Sequence, residues 1–214
     1  MNNYLENLNE EQKLPVLHKD GPLIVIAGAG SGKTRVLTYR IIHLINEGVD
    51  PFNILALTFT NKAALEMKNR ISLITSESVS RSIWMGTFHS IFARILRSEA
   101  PLIGYPTNFT IYDTYDSEKL ISNIIKEKKL DKDTYKAKSI KNRISSLKNN
   151  FITVENYFNN SELIEVDKAA KRDLFGEIYQ EYVRRCFKAS VMDFDDLLLK
   201  TNELLNKSPE TLLK

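Results

Sequence analysis

The chain has 214 residues, enough for one large domain or two small ones. Hydrophobic residues make up 43% and charged residues 27%, which excludes a wholly disordered chain, a collagen and a disulfide scaffold. Thirty Lys/Arg against 27 Asp/Glu leave a net charge of +3, compatible with a nucleic-acid partner without demonstrating one. The single cysteine, Cys186, rules out an intramolecular disulfide and a cysteine-rich zinc site, and it fits a reducing compartment.

Met1 to Gln12 has no basic stretch followed by an apolar one, so no signal peptide is expected. The longest apolar run, Leu23–Ala27, is too short to span a bilayer. No membrane association and a cytoplasmic location are expected.

In chain order, residues 9–19 predict a helix capped by Asn9, with Glu10 and Glu11 in its first turn and Asp20-Gly21-Pro22 as its stop. Leu23–Ala27 predicts a strand buried on both faces. Thr34–Glu47 carries Val36, Leu37, Ile41, Leu44 and Ile45 at helical spacing, and Gly48 and Pro51 end it. Ile54–Phe59 predicts a second buried strand, Asn61 a cap for a helix to about Leu73, and Ile83–Gly86 a weaker strand before a helix from His89 to Ser98. Alternation of strand and helix over 1–103 predicts an α/β fold with a parallel sheet. A glycine- and proline-marked break at Pro101–Pro106 follows, then lysine-rich amphipathic helices to about Lys188. The stretch 115–150 holds ten Lys/Arg against five Asp/Glu; such a run reads equally as a solvated face or a nucleic-acid surface.

Ala27-Gly28-Ala29-Gly30-Ser31-Gly32-Lys33-Thr34 stands between a predicted strand and a predicted helix. Small residues there let successive backbone N–H groups curl round a phosphate, and the helix N-terminus adds partial positive charge. Lys33 would reach the β/γ-phosphates and the Thr34 hydroxyl would ligate Mg²⁺. The strict pattern has glycine where Ala27 stands. Upstream, Leu8-Asn9-Glu10-Glu11-Gln12 places an amide that offers a donor and an acceptor, the pair that reads adenine's N6/N7 edge. Phe59 at a strand end is a candidate stacking platform for a base, with core burial as its alternative. Asn61 and Lys62 are candidate phosphate contacts.

These segments together resemble the superfamily 1 DNA helicases of the UvrD/PcrA/Rep type. The Q motif resembles Leu8–Gln12, motif I Ala27–Thr34, motif Ia Leu57–Met67 and motif Ib Gly86-Thr87-Phe88-His89-Ser90. Asp193-Phe194-Asp195-Asp196-Leu197-Leu198 resembles a further family segment, its acids reading as helix capping rather than as a metal site. The resemblance implies ATP and Mg²⁺ as cofactors. Lys33 and Thr34 are implied as catalytic, Thr34 as the metal contact, and Gln12, Ala27 through Thr34 and Arg35 as the nucleotide site. Thr58, Phe59, Asn61, Lys62, Thr87 and His89 are implied as contacts to single-stranded DNA.

The resemblance further implies an incomplete RecA-like P-loop NTPase sheet, formed by 1–103 and 191–214 and interrupted by a mostly helical insertion, 104–190. The parent would move 3′→5′ on single-stranded DNA and open ss/ds junctions, with C-terminal helicase domains that are missing here. An apolar run ending in Asp-Glu, the Walker B signature, is not found; Phe109–Asp113 comes nearest, with one acid. The alternatives are a stand-alone nucleotide-dependent DNA-binding module and a P-loop kinase. A kinase needs an acceptor-substrate base and an arginine-bearing lid, and neither is found.

Overall fold

The computed structural model describes residues 4–213. It is a mixed α/β fold of short parallel strands and many helices. The chain divides into two compact units, Met1–Ile91 and Phe92–Lys214. Among the described residues, no helix is long and apolar enough to cross a membrane.

The first unit runs α1 (Glu10–Leu17), α2 (Lys33–Asn46), β1 (Leu55–Thr58), α3 (Asn61–Ile74), α4 (Glu77–Ser82), β2 (Trp84–Thr87) and the start of α5 (Phe88–Glu99). α1 begins where its cap predicts: the Asn9 carboxamide oxygen accepts the Gln12 N–H at 2.8 Å, and Gln12 Oε1 accepts the Asn9 N–H at 3.3 Å. β1 and β2 pair in parallel, Leu55 opposite Trp84 and Thr58 opposite Thr87. Ile41 and Ile42 of α2, Met67 and Ile71 of α3, and Ile54, Ala56 and Ile83 build the core of this unit. A smaller cluster joins Leu8 and Val16 to Val36.

Three local expectations are corrected here. Residues 23–27 form no ladder among the described residues, and Ile24 and Ile26 are 86% and 95% exposed. An apolar run favours extended backbone, but a strand exists only where a neighbour supplies hydrogen bonds, and no described segment pairs with these residues. Within 54–59, Ile54 and Ala56 are buried while Leu55 is exposed, so that strand is covered on one face only. The cap of α3 is Thr60, whose Oγ1 accepts the Ala63 N–H at 3.1 Å; Asn61 is the first helical residue.

The second unit continues through β3 (Thr110–Tyr112), α6 (Thr114–Glu127), α7 (Ala137–Asn149), α8 (Val154–Phe158), α9 (Ser161–Ala169), α10 (Phe175–Lys188), β4 (Val191–Asp193), α11 (Phe194–Lys207) and α12 (Pro209–Leu213). β3 and β4 form a separate parallel pair, Thr110 opposite Val191. Each runs directly into a helix closed by an aspartate capping box: Asp113 with Asp116 on α6, Asp193 with Asp196 on α11. Asp113 is therefore a helix cap, and Asp193-Phe194-Asp195-Asp196 opens a helix as its acids predict. The main core packs Ile121, Ile124 and Ile125 of α6, Ile140 and Ile144 of α7, and Phe175, Ile178, Tyr179 and Tyr182 of α10.

Most of the basic side chains in 115–150 are exposed, but some are paired with acids and one is buried. Lys128 pairs with Glu177 at 2.6 Å and Arg143 with the buried Asp167 at 3.1 Å. Lys148 is fully buried, its ammonium 2.7 Å from Asp193 and 2.8 Å from Asp196, and the Tyr182 hydroxyl donates to Asp193 at 2.8 Å. Burial opposes the Lys148 charge, but the two carboxylates outweigh it and hold the ammonium above the ordinary lysine range. Burial pushes Asp196 up, whereas Asp193 stays below the usual carboxylate range because Lys148 overrides its burial. One lysine thus ties α7 to the cap of α11.

Lys148→Met removes the cation and strands two buried carboxylates, which costs about 3–5 kcal/mol of stability. The pH dependence also changes. In the native chain the two carboxyls oppose each other: Asp193, lowered, contributes stability that fades as pH falls through its folded value, while Asp196, raised, contributes stability that fades as pH rises through its own. Without Lys148 both carboxyls are raised in the folded state, which then binds more protons than the unfolded one, so stability increases on acidification. Urea denaturation at pH 5 and pH 7 checks both statements.

Candidate nucleotide and nucleic-acid site

In the first unit the loop after residue 26 turns sharply into α2. Gly30 and Gly32 adopt left-handed backbone, φ +77° and +90°, which suits glycine and few other residues. Gly32 is the N-cap of α2, and its carbonyl accepts the Val36 N–H at 2.9 Å. Ser31 Oγ donates to the Gly28 carbonyl at 2.7 Å and closes the loop on itself. Lys33 folds back over this loop, its Nζ donating to the carbonyls of Ala27 at 2.9 Å and Gly28 at 2.7 Å. A charged donor is thus held at the mouth of the loop by two neutral acceptors. Gly28 and Gly30 have open space where a side chain would stand, which leaves the loop backbone approachable. This donor set fits a polyphosphate.

Gln12 reaches the same loop from α1. Its Nε2 donates to the Ser31 carbonyl at 3.1 Å and lies 2.8 Å from the point a Cβ on Gly32 would occupy. Glycine at 32 is favoured by its backbone angle, and a side chain there would displace the Gln12 amide. Arg35 stacks its guanidinium over the Tyr39 ring, 5.7 Å from the centroid. Thr34 and Ala29 are exposed, and the Thr34 carbonyl accepts from Thr38 Oγ1 at 2.8 Å. No three His, Cys, Asp or Glu side chains among the described residues gather as a metal site. Thr34 would offer a Mg²⁺ ion one hydroxyl oxygen, the donor type that ion takes.

A second group gathers at the carboxyl ends of β1 and β2. Thr58 and Thr87 are register partners there, and Thr58 Oγ1 donates to the Thr60 carbonyl at 3.0 Å. Phe59 follows β1 and is 94% exposed, outside the core of this unit. Its ring centroid lies 6.3 Å from that of Phe88, which opens α5. Asn61 and Lys62 are exposed at the start of α3, and His89 at the start of α5. Thr87 Oγ1 accepts the Ser90 N–H at 3.2 Å. Gly86 leaves room for Ser90, whose Oγ lies 2.5 Å from a built Cβ. Sequence reasoning assigns no role to Phe88, although its place directly after Thr87 is the signal that could have found it.

Thus Gln12 and the loop Ala27–Thr34 form one group, and Thr58, Phe59, Asn61, Lys62, Thr87 and His89 gather at two adjacent strand ends. α2, which begins at the first group, packs on α3, which begins at the second.

The profile of the family described as UvrD/REP helicase N-terminal domain matches residues 8–214. Over 99% of its length the chain is 42% identical to the ATP-dependent DNA helicase PcrA of Staphylococcus epidermidis and 43% identical to that of Bacillus subtilis. Over 97% of its length it is 40% identical to the ATP-dependent DNA helicase PcrA of Leuconostoc citreum. The matches cover 28%, 28% and 27% of those relatives, so the chain spans little more than a quarter of their length. With a match over almost the whole chain, this protein belongs to the UvrD/REP helicase N-terminal domain family.

Proposed function

We propose that this chain is the ATP- and DNA-binding N-terminal part of an ATP-dependent DNA helicase. Residues 1–103 and 191–214 belong to a RecA-like P-loop domain, and 104–190 to a helical insertion. The whole protein would couple ATP hydrolysis to 3′→5′ movement along single-stranded DNA and open ss/ds junctions, with C-terminal helicase domains completing the motor. The observation that carries this reading is the glycine loop at the start of α2, with Lys33 folded over it and the Gln12 amide against its backbone.

Each side chain has a defined task in this account. Lys33 exchanges two neutral carbonyl acceptors for anionic phosphate oxygens, so that both partners of each hydrogen bond are charged. The N-terminus of α2 adds its unpaired N–H groups and partial charge. Gln12 carries a donor and an acceptor, engaged on Ser31 and Asn9, and can turn the same pair toward adenine. Arg35 flanks the loop. Thr34 supplies a hydroxyl to Mg²⁺, which when bound neutralises phosphate charge. Phe59, beside Phe88, offers a face for base stacking, while Thr58, Asn61, Lys62, Thr87 and His89 serve the sugar–phosphate backbone.

Isothermal calorimetry on the 214-residue chain tests the nucleotide half. Mg-ATP binding is expected on the order of 10 μM to 1 mM. Lys33→Ala weakens it by about ten- to hundredfold, the worth of hydrogen bonds to a charged group; unchanged affinity would refute the phosphate role of the loop.

Fluorescence anisotropy on a short single-stranded oligonucleotide tests the other half. Phe59→Ala is expected to cost about 1–3 kcal/mol. The binding constant should fall with salt at a slope of about −0.7 per neutralised phosphate. A folded Phe59→Ala protein that binds normally would move the DNA contact away from these strand ends.

A further inference from the structure

Arg40 lies on α2, seven residues past Lys33 and so about 10 Å further along the axis. Its Nη1 donates to the Pro15 carbonyl at 2.7 Å and also to the His18 carbonyl. Both acceptors belong to the C-terminal end of α1. The guanidinium is therefore engaged on a helix end, not directed at the glycine loop.

α1 needs such a partner. It is eight residues long, shorter than an isolated helix that holds its own shape in water. Pro15 lies inside it and lacks the N–H that would bond the Glu11 carbonyl. Its last turn holds no basic residue of its own, so the terminal carbonyls lack a local cation. The apolar seam to α2 sets Val16 and Leu8 against Val36, with Leu5 and Tyr39 packed beside them, and fastens the middle of the helix rather than its C-terminal carbonyls. Nearby Lys19 pairs with Glu47, but both are substantially exposed, and such pairs hold little.

At its other end α1 carries Gln12, whose amide touches Ser31 and fills the space beside Gly32. α1 is thus fastened at two points, Gln12 on the loop and Arg40 at its C-terminus, with Val16 fully buried between them.

We propose that Arg40 is a positioning residue for base recognition: by clamping the C-terminus of α1 to α2 it holds the Gln12 amide where a nucleotide base is read. This rests on the reading that Gln12 recognises adenine. Arg40 would not touch the nucleotide and would leave phosphate affinity alone.

Two probes separate these effects, Mg-ATP and inorganic tripolyphosphate, each titrated calorimetrically into the native chain and into Arg40→Met, Arg40→Lys, Gln12→Ala and the Gln12→Ala/Arg40→Met double variant. Arg40→Met is expected to lower the ATP-to-tripolyphosphate affinity ratio about three- to tenfold, the worth of the hydrogen bonds that become misplaced. Its tripolyphosphate affinity should be unchanged. Arg40→Lys, which can still donate to the two carbonyls, should keep most of the ratio. Arg40→Met should add nothing in the Gln12→Ala background, because the clamp acts through Gln12.

Without nucleotide, amide hydrogen exchange in Arg40→Met should quicken across 10–17 and stay unchanged in α3. Equal loss of both ligands, or exchange raised throughout the unit, would reduce Arg40 to a general stabilising residue and overturn the proposal. A lowered ratio in Gln12→Ala with a native ratio in Arg40→Met would refute the clamp and leave the adenine reading standing. A native ratio in Gln12→Ala would refute the adenine reading, and the clamp's role in base recognition with it.

Discussion

The backbone reversal at Gly30 and Gly32 is the constraint on which the rest of the candidate site depends. Two left-handed residues within three positions bring the chain round so that α2 starts at the loop. The same reversal lets the ammonium of Lys33 reach the carbonyls of Ala27 and Gly28. A side chain at 32 would need an unfavourable φ and would meet the Gln12 amide. The backbone angle and the position of the Gln12 amide therefore both bear on one residue.

The surroundings hold that loop in place through two helices. α2 buries Ile41 and Ile42 against Met67 and Ile71 of α3, which fixes its axis. α1 rests on α2 through the seam of Leu8, Val16 and Val36 and through the hydrogen bonds of Arg40 to its C-terminal carbonyls. At the strand ends, Thr60 and Thr87 use their hydroxyls on helix-opening N–H groups, while the Phe59 ring stays in solvent. An exposed aromatic ring beside capped helix starts is poor for stability and well suited to stacking on a flat ligand.

Much of this was legible in the sequence because it is local. The Asn9 cap, the glycine loop, the acids that open α11 and the β1–β2 segments all follow from a few neighbouring residues. What was not legible depends on distant partners. Leu23–Ala27 has the composition of a buried strand, yet a ladder belongs to a pair of segments, and none pairs with it among the described residues. Lys148 sits in a lysine-rich stretch that reads as surface; its burial is decided by Asp193, 45 residues away. Thr60 and Asn61 are both good caps, and the extended backbone of Thr60 selects it. Lys129, Phe151, Lys171 and Ser190 adopt left-handed backbone without being glycine, so those turns left no glycine signal.

Amide hydrogen exchange of the native chain, with and without saturating Mg-ATP, tests the central claim most directly. Nucleotide should slow exchange at 28–35, where loop and helix N–H groups gain acceptors, and at 9–13 around Gln12, while α7 keeps its rates. Exchange at 28–35 that is unchanged under saturating Mg-ATP would contradict the claim that this loop is the phosphate site.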